Sequence, residues 1–159
     1  MLGCGTFGQV VKCRALDSGE VVAVKVIKNH PAYHHQARVE VGILQQLNGR
    51  TDPEDQQHIV RLREYFVHAR HLCLVFELLH VNLYELLKQN NFRGLSTSLL
   101  RLFLGQLLTS LRALRRAGVI HCDIKVRCGA AEHTTAGLTR IRPPSSLRTS
   151  SSSPSTPAR

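Results

Sequence analysis

Residues 3–27 read GCGTFGQVVKCRALDSGEVVAVKVI, and this stretch decides the fold. Its first six residues match the pattern G-x-G-x-x-G, a weak signal by itself because dinucleotide-binding folds and phosphate-covering flaps both use it. In the dinucleotide-binding fold the third glycine opens a helix. Here Gly8 opens an alternating run, residues 9–13, which is typical of a strand. The stretch therefore predicts a glycine hairpin between two strands, whose backbone N–H groups can lie over phosphates.

The second predicted strand, residues 20–27, is β-branched and carries a lysine in its middle. Lys25 is costly to bury there unless an acidic partner neutralises its charge. Glu40 follows 15 residues later, inside the next predicted helix, and can supply that partner. Val10, two residues after the third glycine, completes the longer pattern G-x-G-x-x-G-x-V. These positions predict a phosphate site built on a sheet and completed by a helix.

A third group of candidate residues lies in VIHCDIK, residues 119–125, after a strongly apolar helix. Asp123 follows a predicted short strand, where its carboxylate can accept a proton from a hydroxyl group. Lys125, two residues later, can neutralise a transferred phosphate. The glycine loop, the strand lysine and this loop occur in an order that argues against coincidence.

The first 125 residues predict an α+β fold in which the strands come mostly as antiparallel hairpins. Polar loops and turn residues separate the periodic segments. After the first hairpin, the predicted elements are a helix from 31 to about 48, strands 59–67 and 72–78, a helix 83–90 capped by Asn82, a helix 97–117 ended by Gly118, and a short strand at 119–120.

Together these motifs resemble a eukaryotic protein kinase of the CMGC group over about residues 2–125. Cys122 stands where most kinases have arginine, which resembles the dual-specificity tyrosine-regulated (DYRK) kinases. The same subfamily is indicated by the stretches CLVFELL at 73–79, NLYELLK at 82–88 and NNFRG at 90–94. The stretch KNHP at 28–31 resembles the related homeodomain-interacting kinases instead. The first subfamily is favoured.

The resemblance implies a kinase N-lobe, made of an antiparallel sheet plus one helix, and only the first helices of the C-lobe. The N-lobe, with its first strand clipped, and the hinge would span residues 1–80. The start of the C-lobe, up to the catalytic loop, would span residues 81–125. A disordered tail would occupy residues 126–159.

The resemblance further implies that ATP is the cofactor. Lys25 would hold its α- and β-phosphates and pair with Glu40. The three loop glycines that would cover the phosphates are Gly3, Gly5 and Gly8. The two apolar side chains that would sandwich the adenine are Val10 and Ala23.

The remaining implied roles concern the hinge and the catalytic loop. Phe76 resembles the gatekeeper at the back of the pocket, and residues 77–79 resemble the hinge whose backbone hydrogen-bonds adenine. Asp123 would be the catalytic base and Lys125 its phosphate-neutralising neighbour. The hinge residues are Glu77, Leu78 and Leu79. The family would transfer the γ-phosphate of ATP to Ser/Thr of protein substrates and to its own Tyr.

The resemblance stops after Lys125. The family continues Pro-Glu-Asn, in which the Asn binds Mg²⁺, whereas residues 126–128 read VRC, and no Asp-Phe-Gly occurs anywhere. The Mg²⁺ ligands are therefore missing from this chain, and no metal site is predicted. Phosphoryl transfer depends on positioning and charge neutralisation, so the chain is expected to be a fragment without turnover. The alternative is a non-catalytic nucleotide-binding or interaction fragment with a leucine-rich surface.

Composition changes abruptly near residue 125. The stretch 126–159 is rich in Ser, Thr and Pro and ends in low complexity, which predicts disorder because it cannot bury enough apolar surface. Such a switch within one residue also indicates a reading-frame or splicing boundary, so a mis-predicted gene model is a further alternative.

The charge and the cysteine content limit which other classes of function the chain can have. The net charge is +10, but residues 126–159 contribute only five arginines against Glu132, and no basic block tracks phosphates. Nucleic-acid binding is therefore not expected, although the basic tail keeps it as a third alternative. The five cysteines are odd in number and no export signal precedes them, which predicts reduced thiols in the cytoplasm or nucleus. No apolar run is long enough to span a membrane.

Overall fold

The computed structural model describes residues 1–79, 83–122, 124 and 140. Within this part of the chain, five strands and three α-helices form the predicted α+β fold, which is confirmed. The strands are β1 (Gly3–Cys4), β2 (Gly8–Arg14), β3 (Val21–Ile27), β4 (Leu62–His68) and β5 (His71–Glu77). The helices are α1 (Pro31–Gln46), α2 (Leu83–Gln89) and α3 (Thr97–Arg116), and a π-helical turn (Leu47–Thr51) follows α1.

The strands form one antiparallel sheet in the order β1-β2-β3-β5-β4. The β-branched residues of β3 suit its central place, since they pack well against neighbours on a pleated surface. Lys25 in β3 lies opposite Val10 of β2 on one side and Leu74 of β5 on the other. The lysine is thus held at the middle of the sheet.

Helix α1 covers one face of the sheet. It begins at Pro31, whose fixed φ and missing N–H suit the first helical position. Its buried residues Ala37, Val41 and Leu44 follow helical spacing and join the core formed with the strands. Glu40 is buried on the same helix, which brings its carboxylate to the sheet.

The C-terminal end of α3 reaches the same core, because Ala113 and Leu114 are buried in the cluster that contains α1 and the strands. Gly118, with φ of +71°, ends the helix as predicted. Its N–H donates to the Arg115 carbonyl, and Val119 donates to Leu114, the pair of bonds of a Schellman motif. Val119 therefore belongs to the helix cap, and the short strand predicted at 119–120 does not appear among the described residues.

The middle of α3 is exposed in the described part of the chain. Phe103 and Leu114 are buried, whereas four leucines before and between them are exposed. The exposed leucines, 39% to 64% accessible, are Leu100, Leu102, Leu104 and Leu108.

None of the described helices is both long and apolar enough to cross a membrane.

The N-terminus of α3 offers a small, local test of the fold. The Ser96 hydroxyl accepts a hydrogen bond from the Leu99 N–H at 3.3 Å, as an N-cap does. Ser96→Ala is expected to lower the free energy of unfolding by about 1 kcal/mol. Ser98→Ala, at an exposed position inside the helix, is the matched control and should cost nothing. Urea denaturation measures both, and equal losses would contradict the cap.

Three predicted features fall outside the described residues. The Asn82 cap and the boundary between residues 80 and 81 lie in the undescribed stretch 80–82. Of the predicted tail, 126–159, the structure describes Arg140 alone. The division of the chain at residues 80 and 125 therefore stays a prediction.

Candidate functional site

The centre of the site is an ion pair between the sheet and α1. The Lys25 Nζ lies 2.8 Å and 3.0 Å from the two carboxylate oxygens of Glu40. Lys25 is only 4% exposed and Glu40 only 6% exposed. The structure therefore brings together the two residues whose pairing the sequence predicts.

Burial dominates the protonation of this pair. Loss of water lowers the pKa of Lys25, although the charge of Glu40 opposes that shift. Loss of water likewise raises the pKa of Glu40, against the attraction of Lys25. Each side chain thus depends on the other to remain charged inside the protein.

The glycine loop is the hairpin that joins β1 to β2, as predicted. Its turn is closed by a hydrogen bond from the Gly5 N–H to the Gly8 carbonyl at 2.9 Å. A Cβ at Gly5 would meet nothing within 4 Å, whereas one at Gly8 would lie 2.1 Å from the Val26 carbonyl oxygen. Gly8 is therefore required by the close approach of β3, and Gly5 faces open space. Gly3 pairs with Val10 within β1–β2.

The residues predicted to surround adenine share one buried cluster. Ala23 in β3 lies opposite Phe76 in β5, and Val10 belongs to the same cluster. All three are at most 2% exposed. Leu78 and Leu79 of the predicted hinge pack against this cluster from the end of β5. The structure thus gathers these side chains, and their roles toward adenine stay predictions.

An aromatic contact missed by sequence reasoning connects the glycine loop to α1. The Phe7 and Tyr33 rings meet edge to face with centroids 5.4 Å apart, and His30 lies 5.1 Å from Tyr33. The Phe7 carbonyl also accepts a hydrogen bond from the Lys28 N–H at 3.0 Å. Phe7 lies in the glycine motif, whereas Tyr33 belongs to no motif of the sequence, and no spacing rule pairs the two.

A charged cluster at the end of β5 was also missed. Glu77 accepts hydrogen bonds from the Arg61 backbone N–H at 2.9 Å and from the guanidinium of Arg140 at 2.5 Å. The Arg140 guanidinium also bonds Asp55, and Arg61 lies 3.0 Å from the same carboxylate. Burial raises the pKa of Asp55, yet the bonds from both arginines outweigh it and hold that pKa below its usual range.

The predicted catalytic residues Asp123 and Lys125 lie outside the described residues. Just before them, His121 is buried and Cys122 is exposed with φ of +62°, a left-handed conformation that costs energy for a side chain of this kind. Within the described residues, no three His, Cys, Asp or Glu side chains come together as a metal site.

The family model for the protein kinase domain matches residues 1–127. The chain belongs to the protein kinase family. This kinase chain is 58% identical over 124 residues to a protein named probable serine/threonine-protein kinase yakA from Dictyostelium discoideum, covering 78% of this chain and 8% of that protein. It is 54% identical over 125 residues to dual specificity protein kinase YAK1 of Saccharomyces cerevisiae, covering 79% and 16%.

A homeodomain-interacting kinase is less similar. Homeodomain-interacting protein kinase 2 of Mesocricetus auratus is 48% identical over 124 residues, which cover 78% of this chain and 10% of that protein. The predicted preference for DYRK-like over homeodomain-interacting kinases is confirmed by the higher identity of the YAK1 proteins. The kinase chain spans less than a quarter of the length of these relatives.

Comparison of folds agrees with the sequence comparison. The crystal structure of a kinase domain superimposes with a TM-score of 0.73 at 34% sequence identity. The match covers 79% of this chain and 36% of that domain's chain. The part of the kinase fold present here is therefore the sheet, α1 and the helices that follow.

Proposed function

We propose that this chain binds ATP as the nucleotide-binding part of a protein kinase of the DYRK-like group. The carrying observation is the buried Lys25–Glu40 ion pair, with both carboxylate oxygens within 3.0 Å of Nζ. A buried ion pair is costly to desolvate and often adds nothing to stability. The presence of such a pair therefore supports a functional role for it. The whole protein would transfer the γ-phosphate of ATP to Ser/Thr or Tyr of protein substrates.

Lys25 suits a phosphate ligand by its hydrogen-bonding capacity. An ammonium group has three donors, and the two bonds to Glu40 leave one for a phosphate oxygen. Backbone N–H groups of the glycine hairpin would lie over the other phosphates, with Gly5 giving the closest approach because no atom lies near its Cβ position. The loop glycines in this role are Gly3, Gly5 and Gly8.

The adenine would enter between the glycine hairpin and the end of β5. Val10 and Ala23 would pack on its faces and Phe76 would close the back of the pocket, a proposal that their common buried cluster supports. The hinge backbone would supply the polar contacts, since adenine presents both a donor and an acceptor on one edge. The hinge residues are Glu77, Leu78 and Leu79.

The magnesium ligands of the kinase family do not occur in this sequence. The chain carries neither the Asn that follows the catalytic loop in the family nor an Asp-Phe-Gly, so its residues do not fit a held Mg²⁺. Asp123 and Lys125 keep their proposed roles as base and phosphate-neutralising residue. Since charge neutralisation is most of phosphoryl-transfer catalysis, we expect this chain to bind nucleotide without turnover.

The test measures binding and transfer separately on the same preparation. Titration calorimetry with the non-hydrolysable analogue AMP-PNP is expected to show saturable binding that excess ATP displaces. Incubation with radiolabelled ATP and a Ser/Thr/Tyr peptide mixture is expected to give no labelled peptide. Absence of binding would overturn the nucleotide site, and labelled peptide would overturn the expected lack of turnover.

Substrates and cell location belong to the same proposal. The relatives include proteins named as serine/threonine and dual-specificity kinases, which supports protein hydroxyl groups as substrates of the whole protein. Cys4, Cys13, Cys73 and Cys122 are free thiols, in keeping with a reducing compartment such as the cytoplasm or nucleus. The interaction-fragment alternative stays a prediction.

A further inference from the structure

Arg140 lies deep in the protein although it belongs to a stretch whose composition predicts disorder. It is 3% exposed. Its backbone N–H donates to the His58 carbonyl at 2.7 Å, and its guanidinium bonds both carboxylate oxygens of Glu77 at 2.5 Å. A second guanidinium nitrogen bonds Asp55. Arg140 is therefore held by its backbone N–H and by two guanidinium nitrogens, one bonded to Glu77 and the other to Asp55, so that its side chain bridges two carboxylates.

Glu77 is the point at which the chain leaves the sheet, because it is the last residue of β5. Its backbone N–H donates to the Arg61 carbonyl at 3.1 Å, and its carboxylate accepts from the Arg61 N–H at 2.9 Å. Arg140 adds the only charged donors to that carboxylate among the described contacts. Side chain and backbone of Glu77 are thus held together, immediately before Leu78 and Leu79.

Charge balance makes Arg140 necessary to this arrangement. The described ion pairs place three carboxylates, Asp52, Asp55 and Glu77, around Arg61 and Arg140. Without Arg140, the Arg61 guanidinium would stay paired with Asp52 and Asp55. The Glu77 carboxylate would keep only the hydrogen bond from the Arg61 backbone N–H. A half-buried carboxylate in that state would turn toward water. The start of the hinge would then lose its fixed position.

We propose that Arg140 is a positioning residue for the adenine-binding hinge and thereby sets the preference of the site for adenine. This inference rests on the proposed nucleotide-binding function. Arg140 holds the Glu77 side chain in place, and Glu77 in turn holds the backbone groups that would meet the purine edge. Because two linked sites affect each other equally, bound nucleotide must also hold Arg140 more firmly in its buried place.

The first experiment tests the buried place of Arg140 without any substitution. Trypsin must insert an arginine side chain into its specificity pocket before it cleaves the following bond. Cleavage between Arg140 and Ile141 of the full chain, timed by mass spectrometry, is compared with the same bond in a synthetic peptide of residues 133–148. We expect cleavage in the chain to be slower by at least about tenfold, and AMP-PNP to slow it further. Equal rates would overturn the placement on which the proposal depends.

The second experiment tests the role in nucleotide choice. The affinities of AMP-PNP and GMP-PNP are measured by calorimetry for the wild type and for Arg140→Met. We expect the preference for AMP-PNP to fall by about tenfold, since the hinge contacts are the ones that differ between the two purines. Arg140→Lys should fall between them because it keeps the charge but not the fork. Arg148→Met removes the same charge from the same stretch and should leave the preference unchanged.

The two experiments separate the possible failures. If the wild type binds neither analogue, the proposed function fails, whatever trypsin shows. If the wild type binds AMP-PNP and Arg140→Met keeps the full preference for adenine, the positioning role is wrong and the proposed function stands. Should Arg140→Met not fold, Glu77→Gln tests the same contact, since it retains the shape but removes the charge that Arg140 binds; an unchanged preference there overturns the proposal as well.

Discussion

Replacing Lys25 with methionine is expected to lower the free energy of unfolding by about 3–5 kcal/mol at neutral pH. The substitution removes the ammonium group that lies 2.8 Å from the Glu40 carboxylate and leaves that carboxylate buried without a countercharge. Methionine fills a similar volume, so the loss reflects charge rather than a cavity. Urea denaturation followed by circular dichroism measures it.

The loss caused by Lys25→Met should depend on pH in one direction. Burial already raises the pKa of Glu40 above its ordinary value of 4.5, and removing Lys25 raises it further. Between 4.5 and the raised pKa, the folded state keeps a proton that the unfolded state has released, so stability falls as pH rises through this window. Lys25→Met is therefore expected to be least destabilising near pH 5 and most destabilising near pH 8.

A double variant separates stability from ligand binding. Lys25→Met combined with Glu40→Leu removes both charges, and an apolar pair of similar volume is expected to restore most of the lost stability. Affinity for AMP-PNP should nevertheless stay reduced by at least about thirtyfold, because the phosphate-binding ammonium is gone. Recovery of nucleotide affinity along with stability would show that Lys25 has only a structural role.

Gly8→Ala is expected to lower the free energy of unfolding by roughly 3 kcal/mol, at the upper end of the cost of overpacking. The new Cβ would lie 2.1 Å from the Val26 carbonyl oxygen and 3.0 Å from its carbon, both backbone atoms of the paired strand. A strand in the middle of the ladder cannot move aside without breaking its hydrogen bonds to β5. The hairpin must therefore open at its base.

Gly5→Ala is the matched control three residues away. A Cβ there meets no atom within 4 Å, so stability should change by less than about 0.5 kcal/mol. Affinity for AMP-PNP should fall instead, because Gly5 is the position proposed to approach the phosphates. Thermal melting and calorimetry on both variants give the comparison. Similar stability losses for the two would show that the close contact at Gly8 is not restrictive.

The central features of the site could be predicted because short patterns in the sequence indicate them. A lysine inside a β-branched strand requires a partner, and Glu40 is an acidic residue inside the next apolar-periodic helix. The structure pairs them through both carboxylate oxygens. The strand that follows Gly8 predicts the glycine hairpin, and the structure adds that a Cβ at Gly8 would lie 2.1 Å from the Val26 carbonyl oxygen of the neighbouring strand.

Other features could not be predicted, for reasons that differ from case to case. The strand expected at 119–120 fails because Val119 is used by the cap of α3, a hydrogen bond that hydrophobic alternation does not reveal. The exposed Leu100, Leu104 and Leu108 of α3 share a stripe with the buried Phe103 and Leu114, and periodicity alone does not tell which part of a stripe is covered.

Periodicity, turn residues and caps depend on residues that are close together in the sequence. The amino-acid order therefore accounts for the antiparallel hairpins, the helix ends and the identification of Lys25 and Glu40 as site residues. Contacts between distant segments have no such local signal. Arg140 meets Glu77 across 63 residues and Asp55 across 85, and Phe7 meets Tyr33 across the strands β2 and β3. Those pairings are decided by the sheet order and by which buried charges remain to be neutralised once the chain has folded.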